Sequence, residues 1–336
     1  MDERTKNSLT DAFDAAIAET ATEEFLRLSR GRDAAEVAKK IHGSLDSLYN
    51  GLQSGDMPEY DEWDALFYLL WYQPFHINLA YNLASMQLKR YANQIQESGG
   101  LEVYDFGCGA LAMQFGLALA ISHTPGADQF APSLTVTSSD VSKPMLLIGR
   151  KLWDKFKRKI TIGGYQGISR VQKVCSALKS TYDSGWTETP TWVCYSSLSK
   201  HDSMFKGNQW LTIMHTAYED IHTEVTEVLN EWVSKENPSC IFVTAHPQSM
   251  QWAYSPKDSS YKRCRIIIGK EAFAFQGTLE ETTAFRKGIF KKYFMNATNE
   301  LPDANIDFAR KYLTNLPTGW VTHSSFEPSC IIYTRM

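Results

Sequence analysis

Two stretches of the chain place acidic and glycine residues where a nucleotide could bind. In the first, residues 101–104 are mostly apolar and lead into an acidic, glycine-rich turn, and residues 112–122 (AMQFGLALAIS) predict an apolar helix. A strand that turns at glycines into a helix directs backbone N–H groups and a helix N-terminus at a ligand. The candidate binding residues of this turn are Asp105, Gly107, Cys108 and Gly109.

The second stretch carries an acidic residue at the end of the next predicted strand. Residues 134–139 (LTVTSS) predict that strand, Asp140 and Val141 follow it, and an amphipathic helix begins soon after. In a parallel sheet, a carboxylate at this position faces the two hydroxyls of a ribose. The two stretches together predict a cofactor that contains a nucleoside.

The sequences VYDFGCG and VTSSDVSKPMLLIGRKL resemble the first two motifs of class I S-adenosylmethionine (SAM) dependent methyltransferases. In that family the first turn holds the methionine part of SAM, and the acid after the second strand holds the ribose. The resemblance therefore implies SAM as cofactor, with the first role for Asp105, Gly107 and Gly109 and the second for Asp140. It also implies a Rossmann-like α/β fold with seven strands. The family's third glycine falls on Leu111, so the geometry of the turn is the point at which this chain departs from the pattern.

A nicotinamide-dependent dehydrogenase is the alternative for such a turn. The Gly-x-Gly-x-x-Gly pattern of those enzymes requires a third glycine at position 112, where this chain has Ala112, which is an allowed variant. The pattern also requires an acidic residue about 20 residues farther on. Asp140 is more distant than that and is followed by a Ser-Lys-Pro-Met helix start. SAM is therefore favoured.

About 100 residues of predicted helix precede the first strand. Apolar residues recur at helical spacing over 9–28 and 37–52, Asp33 and Asp61 are candidate N-caps, and a long helix runs to Glu97. We expect residues 1–100 to form a helical cap and residues 101–336 to form the SAM-binding domain, with a helical insertion near 250–318.

The predicted cap is unusually aromatic between positions 63 and 81. These rings either pack the cap onto the sheet or form a lid over the sulfonium of SAM or over a cationic substrate. Each cation–π contact of that kind contributes about 0.5–2 kcal/mol. The candidate lid residues are Trp71, Tyr72, His76 and Tyr81.

Alternating patterns later in the chain predict further strands. The third, fourth and fifth strands are expected at 191–197, 209–214 and 239–245, with helices between them, which favours a parallel sheet. Residues 319–325 and 329–334 predict a closing hairpin, similar to the antiparallel sixth and seventh strands of the methyltransferase fold. Residues 261–268 predict either a short strand or part of the insertion.

Methyl transfer requires positioning and at most one group that removes a proton. His215, Tyr218 and Glu219 follow the fourth predicted strand and are the candidate catalytic residues, and His215 is also a candidate cofactor contact. Alternatively, His215 only ends the strand and Glu219 begins the next helix, where acids are favourable. His246 is a weaker candidate base, and Asp202 is a candidate partner of the adenine amino group.

Composition limits the class of protein. Hydrophobic residues make up 43% and charged residues 21%, as in soluble globular proteins, and the net charge of −4 gives no general case for nucleic acid or an anionic membrane. Lysines and arginines between 151 and 159 form either a phosphate-binding face or a solvated one. The spacing of cysteine, histidine and acidic residues suggests no metal site. Without a signal-peptide core or an apolar run of about 18 residues, the sequence predicts a cytoplasmic protein.

Three functions remain open at this level. The first is methylation of a small-molecule acceptor bound between cap and sheet. The second is cyclisation of SAM itself with release of methylthioadenosine, as azetidine-carboxylate-type cyclases of this fold do. The third is a ribosome-associated methyltransferase-like protein, which the helical segment before the first motif faintly resembles, although the clustered cysteines of that family are missing. A non-catalytic SAM-binding scaffold is a further alternative if Leu111 disrupts the turn. The sequence predicts no oligomeric state.

Overall fold

The computed structural model describes most of the sheet and of the helices that cover it. The described residues are 3–54, 59–124, 133–165, 168–182, 208–214, 218–220, 222–245, 247–266, 285, 287–289, 292 and 329–336.

The described residues form a sheet of seven strands at the centre of the fold. The strands are β1 (Leu101–Phe106), β2 (Leu134–Ser139), β3 (Lys179–Tyr182), β4 (Gln209–Met214), β5 (Cys240–Ala245), β6 (Tyr261–Ile266) and β7 (Ser329–Arg335). Their spatial order is β3-β2-β1-β4-β5-β7-β6, and β7 is antiparallel to both of its neighbours while the other pairs are parallel. The expected Rossmann-like fold with seven strands and an antiparallel end is confirmed.

Helices precede the sheet and alternate with its strands. They are α1 (Glu3–Ser29), α2 (Ala34–Ser54), α3 (Glu62–Trp71), α4 (Gln73–Glu97), α5 (Ala112–His123), α6 (Lys143–Ile162), α7 (Ser169–Ala177) and α8 (His222–Glu236), with a short 3-10 helix at Pro247–Trp252. One buried cluster joins α1–α7 to one face of the sheet, and a second joins α8 to the other face. Alternate residues of β1, such as Val103 and Tyr104, enter opposite clusters, as the twofold period of a strand requires.

Two strands differ from their predicted positions. The third strand is Lys179–Tyr182, not 191–197, and the predicted range lies outside the described residues. This edge strand alternates between exposed and half-buried residues, so it carries no apolar run that the sequence could reveal. The partner of β7 is Tyr261–Ile266, not 319–325. The other edge of β7 pairs with β5, and the predicted hairpin strand at 319–325 lies outside the described residues.

The helical cap begins its helices where the sequence predicts. Asp33 accepts a hydrogen bond from Glu36 N at 2.8 Å, and Asp61 caps α3 in a reciprocal capping box with Asp64. Pro74 lies in the first turn of α4, where its missing N–H costs no helical hydrogen bond. α4 packs along α5 and α1 packs along α6, so the cap shares its core with the sheet-covering helices. The division at residue 100 stays an expectation.

The basic side of α6 is paired with acidic residues of α1. Glu19 contacts Lys155 at 3.0 Å, Lys159 at 3.0 Å and Arg158, while Glu24 contacts Lys151. Burial raises the pKa of Glu19, but hydrogen bonds from these cations outweigh it and lower the pKa to about 2. The lysines and arginines predicted as a phosphate-binding or solvated face therefore hold two helices together.

No helix among the described residues combines the length and apolar character needed to cross a bilayer. The location of the protein in the cell stays a prediction.

Candidate active site

The glycine turn after β1 is fixed by bonds to its neighbours on two sides. On the side of β2, Cys108 N donates to Ser139 O at 3.0 Å, and Gly109 N donates to Asp140 Oδ2 at 2.6 Å. On the side of the cap, the buried Gln73 Nε2 donates to Ala110 O at 2.6 Å. The turn is thus a preformed element whose shape depends on both the second strand and the helical cap.

Leu111 adopts the backbone conformation that the third glycine of the pattern would allow. Its φ is +67° and its ψ is +35°, in the left-handed region that costs a residue with a Cβ about 1–2 kcal/mol. Gly107 and Gly109 also have positive φ, at +67° and +52°. The Leu111 side chain is completely buried, and this burial offsets the backbone strain. The departure from the glycine pattern therefore leaves a strand–turn–helix connection in place.

Two buried carboxylates end the first two strands. Asp105 is 1% exposed; its Oδ1 accepts from Thr212 Oγ1 at 2.6 Å, and its Oδ2 has no hydrogen-bond partner within the described part of the chain. Asp140 is 8% exposed and accepts from the backbone N–H groups of Gly109 and Ser142, the latter at 2.7 Å. A buried carboxylate oxygen without a donor is costly, and a ligand donor would remove that cost.

The two carboxylates hold their protons more tightly than ordinary aspartates do. Burial raises the pKa of Asp105 to about 7; the nearby Asp140 adds to this shift and the hydrogen bond from Thr212 opposes it. Burial also raises the pKa of Asp140 to about 6, against the two backbone hydrogen bonds. A cation at this site would favour the ionised form of both carboxyl groups.

Aromatic side chains from the cap, together with Tyr218, which follows β4 in the chain, gather beside these acids. We define the aromatic cluster as Tyr60, Tyr68, Tyr72, His76 and Tyr218. Ring centroids of Tyr68 lie 6.3 Å from Tyr60, 5.8 Å from Tyr72 and 5.4 Å from His76. The Tyr68 hydroxyl is hydrogen-bonded to His76 Nδ1, and a hydrogen bond also joins Tyr60 and Tyr218.

The aromatic cluster lies directly against the glycine turn. A Cβ placed on Gly109 would lie 3.5 Å from the Tyr68 hydroxyl. Burial raises the pKa of Tyr68, Tyr60 and Tyr218 above the usual tyrosine range, and the charge of Asp140 adds to each shift. These tyrosines therefore stay neutral at physiological pH and present rings and hydroxyl groups, not charges, beside the glycine turn and Asp140.

The predicted catalytic residues have different outcomes. Tyr218 lies in the aromatic cluster near Asp140. Glu219 is exposed, and its carbonyl accepts from His222 N at 3.3 Å, at the start of α8, which fits the helix-start interpretation. His215, Asp202 and His246 lie outside the described residues. Val141, beside Asp140, is half-buried against the core on the α8 side of the sheet.

The four candidate lid residues separate into two groups. Tyr72 and His76 belong to the aromatic cluster. Trp71 is buried in the main core, with its ring centroid 5.7 Å from that of Phe67. Tyr81 hydrogen-bonds His123 at 3.2 Å, at the far end of α5 from the glycine turn. Since the twelve residues of α5 span about 18 Å, Tyr81 lies far from the glycine turn and packs against the end of α5. The lid role of Trp71 and Tyr81 stays a prediction, and these contacts place both side chains outside the aromatic cluster.

Sequence reasoning did not select Tyr60, Tyr68 and Thr212 for the site. Tyr68, Tyr72 and His76 recur every four residues and so share one side of the α3–α4 segment, a signal that the sequence did contain. Thr212 lies inside β4 beside β1, and Tyr60 meets Tyr218 across 158 positions. Contacts between such distant positions have no local sequence signal. Among the described residues, no group of three histidine, cysteine or acidic side chains is arranged to hold a metal ion.

Comparison with solved structures returns matches of low sequence identity and low TM-score. No protein-family model and no curated protein matches the chain. Magnesium protoporphyrin IX methyltransferase from Synechocystis PCC 6803, with bound SAM, is 10% identical over 88% of this chain and 97% of that one, with a TM-score of 0.35. Coclaurine N-methyltransferase, bound to N-methylheliamine and SAH, is 11% identical over 97% and 98%, with a TM-score of 0.37.

A cyclopropane-fatty-acyl-phospholipid synthase-like protein from Lactobacillus casei is 13% identical over 77% of this chain and 92% of that one, with a TM-score of 0.36. Because these similarities are low, we transfer no residue role from these structures. The fold assignment depends on the strand order and on the antiparallel β7.

Proposed function

We propose that the protein is a SAM-dependent transferase that methylates a small-molecule acceptor in the crevice between the helical cap and the sheet. One observation carries the proposal: the acids at the tips of β1 and β2 are joined through the glycine turn, by the 2.6 Å hydrogen bond from Gly109 N to Asp140. A turn with positive φ, a helix N-terminus and two strand-end acids suits a ligand with an amino acid at one end and a ribose near the other.

The described residues fit SAM part by part. The partnerless Oδ2 of Asp105 suits the α-ammonium group, since a buried acceptor without a donor favours a cationic partner. Asp140 retains acceptor capacity beyond its two backbone hydrogen bonds and suits the ribose hydroxyls. Gly109 has no side chain to fill the space in front of Tyr68. SAM, when bound, supplies an electrophilic methyl group on a positively charged sulfonium.

The chain's own contribution is positioning, exclusion of water and acceptance of a proton. The cap covers the turn through Gln73 and the aromatic cluster, which limits the access of water to the crevice. In the neutral tautomer that carries its proton on Nε2, His76 accepts the Tyr68 hydroxyl at Nδ1, which leaves lone pairs of that hydroxyl for an acceptor's O–H or N–H group. A proton from that group can pass to Tyr68 Oη as the Tyr68 proton passes to His76 Nδ1. The residues at 215 and 246 stay candidate bases from the sequence.

Calorimetric titration of the full chain with SAM tests the proposal. Wild type should bind SAM, and Asp140→Asn should weaken binding at least tenfold, about 1.4 kcal/mol, because its amide accepts fewer hydrogen bonds than the carboxylate. Asp154→Asn is the matched control. Asp154 is an exposed acid of α6 that pairs with Lys157, so its replacement changes the net charge by the same amount as Asp140→Asn but away from the glycine turn. Unchanged affinity in Asp140→Asn, with an unaltered unfolding temperature, would contradict the ribose assignment.

A second experiment separates methylation from cyclisation, which the close ring packing beside Asp140 keeps as the alternative. Purified protein is incubated with SAM alone, with Asp140→Asn as control, and the products are followed by mass spectrometry. Methylthioadenosine above the control would favour the cyclase. Intact SAM without an acceptor, and S-adenosylhomocysteine (SAH) once an acceptor is added, would favour the methyltransferase.

A further inference from the structure

One buried amide joins the helical cap to the glycine turn. Gln73 begins α4 and is completely buried, and its Nε2 donates to Ala110 O at 2.6 Å, across 37 positions of the chain. Its Oε1 has no hydrogen-bond partner within the described part of the chain. A buried amide oxygen without a donor is costly, and an apolar side chain of the same size would avoid that cost. The bond to the turn, and not packing, therefore accounts for an amide at this position.

The peptide group between Ala110 and Leu111 is held from three sides. Its carbonyl oxygen accepts from Gln73, and its N–H, which belongs to Leu111, donates to Cys108 O at 2.9 Å. The backbone of α6 lies against it at Gly149, where a Cβ would be 2.6 Å from the carbonyl carbon of Ala110. Because the peptide group is planar, a rotation that moved the carbonyl would also move the N–H and would break both hydrogen bonds.

The orientation of this peptide group sets the backbone conformation of Leu111. At a φ of +67°, Leu111 lies in the left-handed region, which glycine enters freely and a residue with a Cβ enters at a cost. Rotation of the peptide group would allow Leu111 to return to negative φ and would redirect the start of α5. The methyltransferase pattern has glycine at this position, and glycine reaches positive φ without outside support.

We infer that Gln73 is a positioning residue for the glycine turn: its hydrogen bond from the cap compensates for the missing third glycine by holding Leu111 in the left-handed conformation. The inference depends on the proposed function, because SAM binding is the property that the turn serves. Gln73 acts on the ligand through the backbone of Ala110. The cap is then a necessary part of the cofactor site and not only a cover for the acceptor.

A double-mutant cycle, measured by calorimetry of the full chain with SAM, tests this inference. Gln73→Met removes the donor with little change in volume and should weaken SAM binding about tenfold. In a Leu111→Gly background, where the turn needs no outside support, the same change should weaken binding less than about threefold. An equal loss of affinity in both backgrounds would overturn the inference, and so would unchanged affinity in Gln73→Met alone. Failure of the wild type to bind SAM would instead overturn the proposed function.

Two further variants separate positioning from a general loss of stability. Gln87→Met is the matched control, because Gln87 is also a buried glutamine of α4 with a partnerless Oε1, about 21 Å farther along the helix. It should leave SAM affinity unchanged, and a loss equal to that of Gln73→Met would contradict the inference.

Gln73→Glu keeps the shape of the side chain and serves if the methionine variant does not fold. Its buried carboxyl group can donate to Ala110 O only while it is protonated, and burial favours the protonated form. At pH 6 the variant should bind SAM within about threefold of the wild type, and it should lose affinity relative to the wild type as the pH rises to 9. A ratio of the two affinities that does not change with pH would overturn the inference.

Discussion

Acidic side chains occupy two places in this molecule, and their surroundings differ sharply. Between α1 and α6, Glu19 and Glu24 are in contact with lysines and arginines, and hydrogen bonds from these cations outweigh burial and lower the pKa of both. At the strand tips, Asp105 and Asp140 meet backbone N–H groups, a threonine hydroxyl and tyrosine rings, and burial raises the pKa of both. Similar carboxylates thus stabilise the fold in one region and favour a ligand in the other.

The direction of the pKa shift also gives opposite stability effects with pH. Glu19, with its pKa lowered, contributes stability above the unfolded value of 4.5 and loses it as the pH falls through about 2. The pKa of Asp105 is 3.8 in the unfolded chain and about 7 in the folded protein. Its burial therefore costs no stability below pH 3.8, where the carboxyl group is protonated in both states, and the cost grows as the pH rises to about 7. Paired acids of the helices therefore favour the folded state at neutral pH, while the buried acids of the crevice oppose it until a cation binds.

The largest expected effect is that of Asp105→Asn. The amide keeps an oxygen for Thr212 and removes the buried charge, so the ligand-free protein should gain about 1–3 kcal/mol at pH 8 and less at pH 5. SAM affinity should fall at least 30-fold, about 2 kcal/mol, because its ammonium loses an ionic partner. Chemical denaturation and calorimetry measure the two quantities. If Asp105→Asn is less stable than the wild type and binds SAM equally well, Asp105 stabilises the fold as the paired acids do, and the contrast between the two regions is wrong.

The affinity for SAM should itself depend on pH. A group with a pKa of about 7 is mostly ionised at pH 8 and mostly protonated at pH 6, so SAM should bind about tenfold more weakly at pH 6. Asp140, at about 6, should steepen the decline below that pH. In Asp105→Asn, the decline between pH 8 and pH 6 should largely disappear. Equal pH dependence in wild type and variant would assign the titration to another group.

The sequence predicted the elements whose signals are local. The turn at 105–109, the acid at 140 and the caps at Asp33 and Asp61 each depend on a few adjacent residues, and each has the predicted position. The third strand was misplaced because an edge strand half exposed to solvent carries little apolar pattern. The aromatic cluster was only half recognised, since Tyr60 and Tyr218 come together through the packing of the cap on the sheet. The distinction between paired and ligand-facing acids requires the tertiary structure.

A smaller effect is expected where the turn departs from the glycine pattern. Leu111→Gly removes about 1–2 kcal/mol of left-handed strain but also a fully buried leucine side chain, whose truncation costs about 2–5 kcal/mol. The variant should therefore be less stable by about 1–3 kcal/mol, measured by denaturant unfolding, with SAM affinity unchanged. Leu111→Ala, which keeps the strain, should be at least as unstable. A stabilised Leu111→Gly would mean that strain outweighs packing at this turn.

The smallest expected effect concerns the paired region. Glu19→Gln should lower stability at pH 7 by about 1 kcal/mol, a modest loss because its side chain is 27% exposed and solvent screens these pairs. The loss should shrink in high salt, since ions screen the wild-type pairs as well. SAM binding and its pH dependence should remain those of the wild type, because Glu19 contacts α6 and not the crevice. A change in SAM affinity equal to that of Asp105→Asn would mean that long-range charge, and not contact with the ligand, controls binding. The paired acids and the strand-end acids would then affect binding in the same way.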